Sequence, residues 1–230
     1  MSRPPNPSLR PRTGAPIVVV GDALLDVDVD AVATRLAPDS AGPVLSERSR
    51  VERAGGAGLA GVLLAAGTTR EVVLVTPICA DDEGARLRSL LSGVRLLSLS
   101  SRGATTVKTR LRAGGSTVAR LDGGGGQAVA EVPAEVAEVL RRAGAVLVSD
   151  YGLGTAGDHA LRELIGSAAA RCPVVWDPHP RGAVPVPGAT LVTPNAAEAA
   201  AAAAETGGRG LAADASRAAV LRRRWQAHAV

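Results

Sequence analysis

The chain has 230 residues, a formal net charge of +4, no Phe, one Tyr and two Trp. This length suffices for one α/β domain whose core is filled by Val, Leu and Ala. The positive charge is mostly Arg, concentrated near the two ends without aromatic residues for base stacking, so we expect no nucleic-acid partner.

No apolar run approaches the roughly 20 residues of a membrane helix, so we expect no membrane contact. Cys79 and Cys172 stand apart, without the spacing of a metal or redox site. Two isolated thiols are typical of a reducing compartment. The sequence therefore predicts a cytoplasmic protein.

The first apolar segment follows a proline-rich start. Residues 1–16 hold five prolines and no apolar periodicity, which predicts a disordered leader before a domain over 17–230. Residues 17–20 then predict a buried strand that ends at Gly21 and Asp22, with Asp26 following. An acid at the carboxyl end of a first strand is a common ligand position in α/β folds. A turn or cap carboxylate is an equal alternative for Asp22 and a weaker one for Asp26.

Two stretches, at about 27–53 and 105–122, alternate polar and apolar residues. This alternation indicates exposed strands outside the main sheet, and the second stretch turns at Gly114 and Gly115. Two such hairpin-like segments would pair into a small β-sheet outside the main sheet, lying over a crevice.

Between these stretches, residues 54–61 are rich in glycine and open a predicted helix. Glycine at a helix start lets a ligand approach unpaired backbone N–H groups. Close helix packing is the structural alternative. The spacing matches neither a dinucleotide-binding fingerprint nor a P-loop, so a nucleotide-binding oxidoreductase domain is disfavoured.

Strand and helix patterns alternate over the rest of the chain. Residues 72–75 predict a strand, 81–84 an acidic helix start that the helix dipole explains, and 132–142 an amphipathic helix. Residues 161–170 predict a crossover helix. Regular alternation predicts an α/β fold with a doubly wound, mostly parallel sheet and helices on both faces.

Three short apolar runs, at 146–148, 174–176 and 191–192, each end abruptly in polar residues. The polar residues that follow them include Asp150, Asp177 and Asn195. Buried strands that become polar at their carboxyl ends form the wall of a ligand crevice in an open α/β sheet.

An Ala-rich helix is predicted over 196–204 and another over 212–227, and residues 228–230 resemble the opening of a further strand. Asn195 and Glu198 lie one helical turn apart, so they share a face and could orient a hydrated Mg²⁺. An Asn N-cap with an acid in the first turn is the structural alternative.

Several motifs occur in the order seen in ribokinase-like (PfkB) sugar kinases, and the chain most resembles their heptose 7-phosphate kinases. The motifs are Gly21-Asp22 with Asp26, Gly55-Gly56-Ala57, residues 105–110, Arg120-Leu121-Asp122, Ser149-Asp150-Tyr151-Gly152, Asp177-Pro178 and Thr193-Pro194-Asn195 with Glu198. The resemblance implies ATP-dependent phosphorylation of a sugar or sugar phosphate, with ATP and Mg²⁺ as cofactors. It also implies that the two alternating stretches form a lid that mediates a possible homodimer.

The resemblance assigns site residues as well. It places Asp22, Asp26, Gly55, Gly56, Lys108 and Arg120 around the sugar or its phosphate. It places Asp150, Asp177, Asn195 and Glu198 near the nucleotide and metal, with Glu198 acting on Mg²⁺ through water.

The sequence also departs from the family. Gly58-Leu59 stand where an Asn is usual, Ser116-Thr117 where heptose kinases have paired Gln, and His179 where they have Lys. No Gly-Ala-Gly-Asp segment, which in the family supplies the anion hole and general base, follows Glu198. We therefore identify no catalytic base, and expect a C-terminally incomplete domain with impaired phosphoryl transfer. A non-catalytic sugar-phosphate-binding or dimerising module is the alternative function.

Overall fold

The computed structural model describes residues 14–125, 127–128, 131–204, 208 and 210–230. The predicted leader therefore lies, apart from residues 14–16, outside the described residues. In the described part of the chain, no helix has the length and apolar character needed to cross a bilayer.

The described residues form twelve strands and six α-helices. The strands are β1 Ile17–Gly21, β2 Ala23–Leu36, β3 Pro43–Gly56, β4 Val72–Pro77, β5 Arg95–Leu99, β6 Ser101–Arg102, β7 Val107–Ala113, β8 Ser116–Gly123, β9 Gln127–Ala128, β10 Ala145–Ser149, β11 Val174–Asp177 and β12 Leu191–Val192. The helices are α1 Ala57–Gly67, α2 Asp82–Leu90, α3 Ala134–Arg142, α4 His159–Ala169, α5 Ala196–Ala203 and α6 Leu211–Arg224, and a 3₁₀ turn covers Thr155–Gly157.

The main sheet has six parallel strands in the order β12-β11-β10-β1-β4-β5. Side chains of one strand alternate between its faces: Val18 and Val20 pack with α3 and α4, whereas Val19 packs with α1 and α2. The fold is therefore an α/β fold with helices on both faces, as predicted. Since both faces are covered, the four inner strands β11, β10, β1 and β4 are mainly apolar and become polar toward their carboxyl ends.

A second, four-stranded sheet has the order β3-β2-β7-β8. Its strands cover the two alternating stretches, and β2 pairs antiparallel with β3 and parallel with β7. We expected exposed strands here, yet Val27, Val29 and Ala31 are buried. Their face packs with Leu90 of α2, which removes it from water.

The opposite face of this sheet is charged. Asp26 and Asp28 on β2 lie in register with Lys108 and Arg110 on β7. The Arg53 guanidinium of β3 pairs with Asp28 on the same face. We call this surface, formed by Asp26, Asp28, Arg53, Lys108 and Arg110 with Arg120 and Asp122 of β8, the charged face.

The predicted strand at residues 228–230 is only partly realised. The backbone N–H of Val192 donates to the carbonyl of Ala229, and that of His228 donates to the carbonyl of Ala189. These bonds hold the segment beside β12, but residues 228–230 are not in strand conformation.

Candidate active-site crevice

The crevice lies where the carboxyl ends of the main-sheet strands face the four-stranded sheet. Gly21 pairs with Ser149, and Ser149 pairs with Asp177, so β1, β10 and β11 end side by side. The chain thus brings Asp22, Asp150 and Asp177 to one edge of the sheet.

Asp22 is buried, with 1% of its surface exposed, and its carboxylate is fully engaged. Its Oδ2 accepts the backbone N–H groups of Tyr151 and Leu153 at 3.0 Å, and its Oδ1 accepts that of Thr155 at 3.1 Å. These bonds fold the loop after β10 onto the end of β1. The arrangement favours the structural alternative that the sequence left open for Asp22.

Gly55 and Gly56 allow the turn into α1 to pass close to two acids. A Cβ on Gly55 would lie 2.4 Å from Oδ2 of Asp26, and one on Gly56 would lie 2.3 Å from the carbonyl oxygen of Asp22. Gly56 also has a φ of +59°, which favours glycine. The Asp26 carboxylate therefore rests against bare backbone, where no other side chain could fit.

Asp26 lies on the charged face with its side chain 13% exposed, and its Oδ1 accepts a hydrogen bond from Nη1 of Arg110 at 2.8 Å. That bond raises the pKa of the Arg110 guanidinium. On the outer strand β8, Arg120 is well exposed and pairs with Asp122 at 2.9 Å. The structure thus brings Asp26 to the crevice and leaves Arg120 at its rim.

Tyr151 connects the two sides of the crevice. The Nζ atom of Lys108 lies 5.1 Å from the centroid of its ring. Burial raises the pKa of the Tyr151 phenol, and the negative charges of Asp177, Asp26 and Glu198 raise it further. Carboxylates from β2, from β11 and from α5 therefore all lie within electrostatic range of this one phenol.

Asp150 and Asp177 occupy different environments at the sheet edge. Asp150 is buried and accepts the backbone N–H groups of Gly152 and Ala183, both at 2.8 Å. Burial nevertheless raises its pKa. Asp177 is half-buried and accepts the hydroxyl of Thr193 at 3.0 Å. Asp150 thus holds two loops, whereas Asp177 remains accessible.

Asn195 and Glu198 form a complete capping box at the start of α5. The Asn195 Oδ1 accepts the N–H groups of Ala197 and Glu198, both at 3.0 Å, and the Glu198 Oε2 accepts the Asn195 N–H at 2.9 Å. The structural alternative named for this pair is therefore present. It leaves Oε1 of Glu198 without a hydrogen bond to a described residue.

The residues around Glu198 fit a hydrated magnesium ion. Burial raises the pKa of Asp177, and the charge of Glu198 adds to that rise, so a cation between them would relieve their repulsion. Within the described residues no group of three or more His, Cys, Asp or Glu could enclose a metal ion. Mg²⁺ commonly keeps several waters and takes only one or two carboxylates besides phosphate oxygens, and this pair suits that mode.

A cavity of about 300 Å³ adjoins the crevice at Glu198. It is bordered by Glu198, by the loop after β11 and by Trp225 beyond the end of α6. The cavity shares Glu198 and His179 with the strand ends but lies away from the charged face. We refer to it as the flanking cavity.

Sequence reasoning missed Tyr151 and Arg110 as members of the site. Both lie within the motifs used for the resemblance, but neither was assigned a role. Tyr151 is the single tyrosine of the chain, next to an acid at a strand end, and that position was the available signal. Arg110 was not recognisable because its partner Asp26 is 84 residues away in sequence.

Solved structures define the class of this fold. Ribokinase of Arabidopsis thaliana, solved with ribose and ATP, superposes with a TM-score of 0.67 at 18% identity, covering 94% of this chain and 70% of that one. Phosphofructokinase-2 of Escherichia coli gives 0.64 at 15% identity over 94% of this chain and 71% of its own. The fold is therefore that of ribokinase-like (PfkB) carbohydrate kinases.

Sequence relatives narrow this class. No family model matches the chain. The bifunctional protein HldE of Streptomyces coelicolor is 49% identical over 218 residues, which cover 94% of this chain and 46% of the relative. HldE of Caulobacter sp. is 36% identical over 203 residues, covering 85% of this chain and 41% of the relative. The chain is a homologue of the bifunctional HldE proteins and spans less than half of their length.

Proposed function

We propose that this chain contains the sugar-binding part of an ATP-dependent kinase that phosphorylates heptose 7-phosphate. The observation that carries the proposal is the crevice around Tyr151, where Asp26 and Lys108 of the four-stranded sheet face Asp177 and Glu198 of the main-sheet side. The ribokinase-like fold and the homology to HldE support the same conclusion.

On the sugar side, Asp26 accepts hydrogen bonds from sugar hydroxyls while Arg110 holds its orientation. Gly55 and Gly56 let the sugar approach the backbone, since neither presents a side chain. Lys108, and Arg120 at the rim, attract the phosphate group of the substrate. Asp22 acts indirectly, because its three backbone bonds position the loop that carries Tyr151.

On the nucleotide side, Asp177 and Glu198 orient waters of a bound Mg²⁺, which supplies charge neutralisation for the phosphates when it is present. Asn195 keeps Glu198 in place through the capping box. Asp150 fixes the adjoining loops through its bonds to Gly152 and Ala183. This division leaves the sugar and the metal on opposite sides of Tyr151.

The proposed reaction also needs a general base and an anion hole for the transferred phosphoryl group. The resemblance assigns both to a Gly-Ala-Gly-Asp segment that the 230 residues do not contain. We therefore propose that residues 1–230 bind the sugar phosphate and that turnover requires such a segment in addition. The four-stranded sheet acts as the lid of this crevice, and pairing of two such sheets is the proposed homodimer contact.

Several site residues already form hydrogen bonds within the chain, and this supports a second candidate function, that of a non-catalytic module that binds sugar phosphates. Asp22, Asp150 and Asn195 all have structural hydrogen bonds that need no substrate. In that case the chain binds the sugar phosphate but gains nothing from Mg²⁺ and ATP.

Isothermal titration with heptose 7-phosphate, with and without Mg²⁺ and ATP, tests the proposal. We expect sugar-phosphate binding that Mg²⁺ and ATP strengthen, and ³¹P NMR should detect no bisphosphate from residues 1–230. Binding that ignores Mg²⁺ and ATP favours the module. Turnover by this chain would refute the requirement for an additional segment. Absence of any heptose 7-phosphate binding would refute the proposed function.

A further inference from the structure

The contact between Lys108 and Tyr151 joins the two sheets across the crevice. Lys108 is on β7 of the four-stranded sheet, and Tyr151 follows β10 of the main sheet. An ammonium 5.1 Å from a ring centroid lies within the range of a cation–π interaction. The contact therefore joins the charged face to the loop that follows β10.

Two contacts other than the one with Lys108 position the Tyr151 residue, one at the end of β1 and one at the turn from β3 into α1. Its backbone N–H donates to the buried Asp22 at 3.0 Å. Its Cδ2 atom lies so close to Gly56 that a Cβ there would be 3.4 Å away. The ring is thus a fixed surface, and Lys108 is the partner that reaches it.

The Lys108 ammonium keeps its hydrogen-bonding capacity. Its register neighbours on the charged face are Asp26 and Asp122, but Arg110 holds the first and Arg120 the second. Among the described residues, no carboxylate forms an ion pair with Lys108. A ring face accepts no conventional hydrogen bond, so the three N–H donors remain available to a ligand.

The composition makes this residue unusual. Lys108 is the only lysine among the 26 Lys and Arg residues of the chain. An Arg would satisfy a cation–π contact equally well, but its planar guanidinium is larger and presents its donors in a fixed fork. A compact ammonium on a ring suits a tetrahedral phosphate group approached from the crevice.

We propose that Tyr151 is a positioning residue. Its ring holds the Lys108 ammonium, a contact that we call the seat, and so fixes the four-stranded sheet over the crevice. From this position the ammonium is directed toward the phosphate ester of a bound sugar phosphate. The contact between the Lys108 ammonium and the Tyr151 ring is observed in the structure itself. The phosphate contact rests on the proposed function.

The single lysine allows a direct test of the seat. Reductive methylation with ¹³C-formaldehyde labels only Lys108 and the N-terminal amine, and the methylated lysine keeps its charge. The ring current of Tyr151 should displace the Lys108 methyl signal upfield from its position in the urea-unfolded chain. Tyr151→Phe should keep this displacement, and Tyr151→Leu should abolish it. A folded-state signal at the unfolded position would refute the seat, even if Tyr151→Leu does not fold.

Isothermal titration tests the phosphate contact. Loss of one charge-assisted hydrogen bond corresponds to roughly tenfold weaker binding or more, which we expect for heptose 7-phosphate with Lys108→Met and Tyr151→Leu. Tyr151→Phe should retain binding, and Arg112→Met, on the same strand, is the matched control and should also retain it. The unphosphorylated heptose should not distinguish Lys108→Met from the unmodified chain.

Failure of the proposed phosphate contact can be distinguished from failure of the proposed function. Equal loss of the neutral and phosphorylated sugars in Lys108→Met would refute the phosphate contact while leaving the proposed function intact. A chain that binds no heptose 7-phosphate would refute that contact together with the proposed function. The ligand-free methyl spectrum decides the seat in either case.

Discussion

The two sheets use their charged residues in opposite ways. At the carboxyl end of the main sheet, Asp22 and Asp150 are buried, and their carboxylate oxygens accept hydrogen bonds from backbone N–H groups. On the four-stranded sheet, Asp26 and Lys108 lie partly open on one face, and their contacts are to other side chains. Acids of the first kind hold loops in place, whereas residues of the second kind can exchange a partner for a ligand.

The largest expected effect is on the stability of the main-sheet edge. Asp22→Asn replaces one carboxylate oxygen by an NH₂ group, which cannot accept, so at least one of the three N–H groups loses its partner. Leaving such buried groups unpaired costs about 1–3 kcal/mol each. We expect the free energy of unfolding in urea to fall by about 3 kcal/mol.

Asp26→Asn is the matched variant for that measurement. Asp26 contacts one partly exposed Arg110, and pairs of this kind contribute about 1 kcal/mol or less. An equal loss of stability in the two variants would contradict the division between the sheets.

For ligand binding, a substitution on the four-stranded sheet should have a larger effect than one at the edge of the main sheet. Asp26→Asn should weaken heptose 7-phosphate binding by roughly tenfold or more, because a charge-assisted hydrogen bond to a sugar hydroxyl is lost. Titration calorimetry measures this change. Asp28→Asn, on the same strand and paired with Arg53, is the control and should bind normally. Equal weakening in both variants would point to general damage to the sheet.

Asp81 links helix α2 to the four-stranded sheet and should give a pH-dependent effect. Burial opposes the shift, but hydrogen bonds from the Thr105 hydroxyl, the Thr105 N–H and the Gly84 N–H outweigh it and lower the pKa of Asp81. The stabilisation from the ionised group is thus full above the ordinary pKa of 3.8 and is lost as the pH falls through the folded value.

Asp81→Asn tests this link. We expect a free energy of unfolding lower by about 1 kcal/mol at neutral pH, with a difference that narrows as the medium becomes strongly acidic. Urea titrations across that pH range measure it. Asp82→Asn, one residue further into the helix start, is the control. A difference that stays constant with pH would contradict the assignment.

The smallest effect on stability should come from Glu198→Gln. Glutamine can complete the capping box as glutamate does, so we expect the free energy of unfolding to change by less than about 0.5 kcal/mol. The additional stabilisation that Mg²⁺ and ATP confer in thermal unfolding should nevertheless decrease strongly, since a neutral amide holds a hydrated cation less strongly than a carboxylate does. A retained response would leave Glu198 with the cap as its only role.

The sequence predicted the main sheet well, because each strand carries its own signal. The runs before Asp150, Asp177 and Asn195 all became strands, neighbouring in the order required for a crevice wall. Their apolar residues can be recognised locally, and parallel strands with crossover helices place their carboxyl ends together.

The crevice itself was less predictable because its contacts join distant segments. The parallel pairing of β2 with β7 brings Asp26 to Arg110, and the loop held by Asp22 brings Tyr151 to Lys108. No local pattern specifies such pairings. The role of Glu198 was ambiguous for another reason, since one Asn-x-x-Glu spacing serves a helix cap and a metal site equally.

A crystal structure of the chain with heptose 7-phosphate would locate the bound sugar phosphate directly. We expect the sugar between Asp26 and the Gly55-Gly56 turn, with its phosphate on the Lys108 ammonium above the Tyr151 ring. A sugar phosphate bound in the flanking cavity beside Trp225, with the charged face empty, would contradict it.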